Sequence, residues 1–153
     1  MKKTLLCMLL LWVLLPEIAS AQDVALGERL PKVKIATWLD DRIPEERELT
    51  YLEFFSANNP QCRMSLLQLQ DLSRKFANRL SIVIVTKDPE EKVRTMLLPY
   101  LSDNIGVVMD RDHKIYTSFD VKYVPFGVLH DSKRRAVWMG NTLKLTEEII
   151  DKK

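Results

Sequence analysis

The chain has 153 residues, of which 46% are hydrophobic and 29% charged, enough for one domain with a core of its own. Its formal net charge of +2 argues against nucleic acid, an anionic membrane surface or a strongly acidic partner. Two cysteines and two histidines, with no clustering among them, leave a metal site and a disulfide scaffold without support.

The N-terminus reads as a secretory signal peptide. Lys2 and Lys3 form a basic head, Leu5 to Leu15 is an unbroken apolar run, and Ala19-Ser20-Ala21 is a small-x-small cleavage site. Cleavage is expected before Gln22. The apolar run is too short for a permanent membrane anchor. Cys7 would leave with it, and the loss of Lys2, Lys3 and Glu17 would bring the charge near +1. The mature chain would then hold one cysteine, Cys62, in an oxidising compartment, the periplasm. Such a thiol is either buried and inert, or reactive and paired with another molecule.

Residues 22–30 read as a mobile lead-in. Val33 to Leu39 alternates as a strand does, and the charged stretch from Asp40 to Glu48 follows as a connection. Residues 22–48 thus form an N-terminal extension carrying a strand, and residues 49–153 the main domain. Tyr51 to Phe55 is the first core strand, interrupted by an acid, Glu53. An acid in a central strand is costly unless it is paired or protonated. It is read either as a proton relay partner of Cys62, or as a solvated or ion-paired glutamate.

Asn59 then supplies an N-cap and Pro60 an N1 proline, which opens a helix reaching about Asn78. Cys62 falls at N3, where free backbone N–H groups and the helix dipole favour a thiolate. The stripe Cys62, Leu66, Leu69, Leu72 and Phe76 faces the core, with Ser65 and Gln68 largely off it. Burial on that stripe pushes the thiol pKa the other way. The run Ile82-Val83-Ile84-Val85 is a strand covered on both faces. Asp88-Pro89-Glu90-Glu91 starts a helix with Asp88 as N-cap, which ends near Leu101. Ile105 to Met109 is extended, and His113 to Phe119 is a short helix or turn. A strand follows Pro125, a turn spans Asp131 to Arg134, a last strand runs from Ala136 to Met139, and a helix closes the chain from Leu145 to Ile150. Arg134 and Arg135 read as solvated.

Phe54-Phe55 with Cys62-Arg63-Met64 resembles the active-site corner of the thioredoxin superfamily, FWATWCGPCRM in exported thiol-disulfide oxidoreductases of the TlpA/ResA kind. Asn59 stands in the place of the first cysteine, the family's nucleophile, so Asn-Pro-Gln-Cys replaces Cys-x-x-Cys. Val124-Pro125, some sixty residues on, resembles the family's cis-proline. The resemblance covers about Leu49 to Ile150. It implies an α/β thioredoxin-like fold, a central mixed sheet flanked by helices, with an N-terminal β extension. It also implies that Val124–Pro125 is cis and faces Cys62, and that backbone there pairs with an extended client segment. Glu53 matches the buried acid that accepts a proton from the second cysteine.

On this reading Cys62 and Glu53 are the candidate catalytic residues. Asn59, Pro60, Gln61, Val124 and Pro125 are the candidate substrate-binding residues. No cofactor and no metal are implied. The expected partners are protein thiols or disulfides, or an extended peptide, with a redox partner supplying the second thiol. The expected function is single-thiol or impaired redox exchange through Cys62. Two alternatives stay open, a non-catalytic peptide-binding module and, more remotely, a thiol peroxidase.

Overall fold

The computed structural model describes residues 24–35 and 37–153. The signal peptide and its cleavage site lie outside the described residues. Five strands, β1 (Leu49–Phe55), β2 (Leu80–Thr86), β3 (Ile105–Met109), β4 (Phe126–Asp131) and β5 (Ala136–Gly140), form one sheet in the order β3-β2-β1-β4-β5. The first three are mutually parallel, and β4 and β5 run antiparallel to their neighbours. Four helices accompany them: α1 (Pro60–Lys75), α2 (Glu90–Leu97), α3 (Lys114–Ser118) and α4 (Glu147–Asp151).

Strand pleat sorts the core. Tyr51 and Phe55 point to the face covered by α1, α2 and α4, where they meet Leu66, Leu69, Ile84, Val93 and Ile150. Phe54 points to the other face, among Val85, Val128 and the α3 residues Ile115 and Tyr116. The strand β2 is buried at every position, as its unbroken β-branched run requires. Glu53 shares the parity of Tyr51 and Phe55, so it points beneath α1.

The N-terminal extension departs from the expected mobile lead-in and strand. It crosses the second face from one sheet edge to the other. At the β5 edge, Gly27 N–H donates to the Ala136 carbonyl at 2.7 Å and Leu30 N–H to the Arg134 carbonyl at 2.8 Å. At the β3 edge, Met109 N–H donates to Thr37, and Trp38 bridges Val108. Because the segment runs across the strands, its described residues meet each edge at isolated pairs. Gly106 of β3 permits the close approach, since a Cβ there would lie 2.5 Å from Pro44 Cδ and 2.9 Å from the Trp38 ring. Each outer edge of the sheet is thus met at one end by the extension.

Three smaller expectations are also corrected. Arg134 is half-buried, with its guanidinium donating to the Pro31 carbonyl at 2.7 Å, so it pins the extension. Helix α2 begins one residue later than expected, after Pro89, because the Asp88 carboxylate is used elsewhere. Ser65 is buried under α1 and not on its polar side.

Candidate functional site

The corner between β1 and α1 is built as the local sequence requires. Asn59 has extended backbone, and its Oδ1 accepts the Gln61 N–H at 2.9 Å, while Pro60 takes N1. The same side chain does a second job. Its Nδ2 donates to the Val124 carbonyl at 2.9 Å, tying the start of α1 to the loop before Pro125. The Val124–Pro125 bond is cis, as expected, and Pro125 is buried. Sequence-distant Asn59, Val124 and Pro125 are thus brought together. Pro60 and Gln61 are exposed at the same corner.

Cys62 is a free cysteine with no exposed surface. Burial pushes its pKa up to about 11. The Ser56 backbone N–H opposes the rise, the Glu53 and Asp88 carboxyls add to it, and Arg63 opposes it weakly. Burial therefore outweighs the Ser56 N–H, because the thiol lies on the core side of the first turn.

Glu53 is completely buried, and its partners are hydroxyls. The Ser65 hydroxyl lies 2.8 Å from Oε1 and equally 2.8 Å from the Cys62 carbonyl. The Thr142 hydroxyl contacts Oε2 and lies 2.8 Å from the Tyr51 hydroxyl. Burial raises the Glu53 pKa to about 8 against the smaller pull of these two hydroxyls. The reading of Glu53 as solvated or ion-paired is therefore overturned. Tyr51 can reach Thr142 because β4 has glycine at Gly127, where a Cβ would lie 1.9 Å from the Tyr51 oxygen.

Sequence reasoning missed Ser65, Thr142 and Asp88. Ser65 had a signal, since it lies one turn beyond Cys62. Thr142 had none, being 89 positions from Glu53. Asp88 accepts the Ala57 N–H at 2.7 Å, and that N–H, with Lys92 and Thr86, outweighs burial and lowers its pKa. Beside this corner opens a cleft of about 410 Å³, bordered by Ser56, Asp88, Tyr116, Tyr123 and Val124. The Tyr116 hydroxyl donates to the Phe55 carbonyl at 2.8 Å, and Lys87 Nζ sits 4.6 Å from its ring centre.

A parallel β1-β2-β3 unit, an antiparallel β4-β5 hairpin and a helix opening at a cysteine beside a cis-proline loop define a thioredoxin-like fold. Solved structures agree. The thioredoxin domain of a thiol-disulfide oxidoreductase from Bacteroides vulgatus superposes with a TM-score of 0.66 at 17% identity, covering 83% of this chain and 93% of that one. StoA from Bacillus subtilis gives 0.58 at 17%, covering 74% and 90%. A thioredoxin-like protein from Aeropyrum pernix gives 0.61 at 18%, covering 70% and 78%. At these identities the likeness is one of fold. The chain matches no protein-family model and no curated protein.

Proposed function

We propose that this protein is an exported, periplasmic relative of the TlpA/ResA-like thiol-disulfide oxidoreductases in which redox exchange is impaired and rests on the single thiol of Cys62. The observation that carries this reading is the occupancy of the corner. Asn59, which we read as standing in the first-cysteine position, spends its side chain on the helix cap and on the Val124 carbonyl. Cys62 is covered, and its pKa stands near 11. Exchange would require the thiolate to attack a client disulfide sulfur, forming a mixed disulfide and expelling the client's other thiolate. A second thiol from a redox partner would then attack the mixed disulfide and free Cys62.

The test is alkylation of Cys62 across pH on folded protein starting at Gln22. Near pH 7 the thiolate fraction, and with it the rate, should be roughly three-hundredfold below that of free cysteine, whose pKa is about 8.5. Unfolding should restore it. Under oxidising conditions, mixed disulfides should accumulate slowly and vanish in Cys62→Ser. A fast reaction titrating below about pH 8.5 would overturn the impairment. Complete failure to trap any adduct would overturn exchange.

A second reading is favoured by the cleft. Its Tyr123 is exposed and packs edge-on against Phe126, and half-buried Val124 lies between the two cores. These features suit recognition of an extended peptide without chemistry. Binding unchanged in Cys62→Ala would support this reading over the first.

A further inference from the structure

The polar cluster beneath α1 can be solved proton by proton. It contains four contacts in a line: Tyr51 to Thr142, Thr142 to Glu53, Glu53 to Ser65, and Ser65 to the Cys62 carbonyl. Each contact needs one proton, and the carbonyl can only accept. Tyr51, Thr142 and Ser65 bring one proton each. With an ionised Glu53 one contact is left without a proton, whereas a neutral Glu53 completes the line. The direction is then unique. Ser65 donates to the Cys62 carbonyl, so it must accept from Glu53. Thr142 donates to Oε2 and accepts from Tyr51.

We propose that Glu53 serves this protein as a hydrogen-bond donor, whose proton locks the first turn of α1, with Cys62 on it, to β1 and to the Thr142 turn. When that proton leaves, the Ser65 hydroxyl must turn toward the carboxylate and release the Cys62 carbonyl. Among the described residues, the groups around the new charge do not neutralise it. On its own face it has Tyr51 from β1 and Cys62 from α1, while Tyr116 lies across the sheet and Asp88 beyond the thiol; all are neutral or acidic. The strands β2 and β4 place Ile84 and Gly127 beside it, and the Thr142 turn offers a hydroxyl. Glu53 is thus a positioning residue whose protonation gates the order of the thiol's own turn. This stands whether or not Cys62 exchanges disulfides.

The decisive variant is Glu53→Gln. A glutamine amide can donate to Ser65 and accept from Thr142, so it keeps every contact but cannot ionise. In the native protein the folded state holds a proton that the unfolded chain has lost. Its stability therefore falls as pH rises from about 4.5 and levels off beyond about 8. The melting temperature of Glu53→Gln should lack this descent, so the difference between the two proteins should grow across that interval. In protein labelled with 13C at glutamate, the Glu53 carboxyl resonance should sit at its acid position near pH 6.5. Between about pH 6 and 7.5 the alkylation rate of Cys62 should match in the two proteins, against the roughly hundredfold loss expected if a general base were removed. Parallel melting profiles, an ionised Glu53 resonance near pH 6.5, or a large loss of alkylation in Glu53→Gln would each overturn the proposal.

Discussion

Two carboxyl groups flank Cys62, and the fold shifts their pKa values in opposite directions. Glu53 lies beneath α1 with hydroxyls around it, and its pKa rises to about 8. Asp88 lies at the cleft rim, where the Ala57 N–H, Lys92 and Thr86 hold it below the ordinary carboxylate value. Burial opposes charge at both sites. The difference is in the donors. A backbone N–H and an ammonium can only give, so they favour the anion. Serine and threonine both give and take, so a hydroxyl line can accommodate a proton on the acid and here needs one. Both carboxyls nevertheless push the thiol pKa the same way, upward.

The comparison breaks most severely at Gly127→Ala. The new methyl would land on the Tyr51 hydroxyl and ring, both fully buried. A loss of about 3 kcal/mol, at the upper end of overpacking costs, should show in urea denaturation. The loss should fall on the Glu53 side alone, with Asp88 still ionised.

Thr142→Val removes one hydroxyl at nearly constant shape. It leaves Tyr51 and Glu53 Oε2 without their shared partner, at a cost of about 2 kcal/mol by the same measurement. It should also raise the Glu53 pKa further, because that hydroxyl pulls it down.

Asp88→Asn is the mildest of the three and carries the opposite pH signature. Its depressed pKa means that its stabilisation is present above the unfolded value and is lost as pH falls. The amide keeps the Ala57 contact and loses the ion pair with Lys92, which is partly exposed. About 1 kcal/mol should be lost near neutral pH and less in acid. If Asp88→Asn and Glu53→Gln shifted stability with pH in the same sense, the contrast between the two carboxyls would collapse.

The sequence alone determined the elements that rest on local chemistry. The β-branched run of β2, the Asn59-Pro60 start of α1 and the apolar stripe beginning at Cys62 all stand where periodicity and capping place them. These signals work because neighbours within a turn or along a strand create them. Tertiary structure decided the rest. Residues 33–39 alternate like a strand in sequence, yet the described ones among them cross the sheet and meet its edge at isolated pairs. Asp88 reads as a helix cap, yet a distant Ala57 N–H claims it. The state of the thiol is the clearest case. A first-turn cysteine is locally favoured as thiolate, but its burial and the carboxyls beside it depend on which chain segments pack there. The pKa of Glu53, likewise, is set by the burial that packing imposes, against the pull of a threonine 89 positions away and a serine on the next element, none of which its place in the chain reveals.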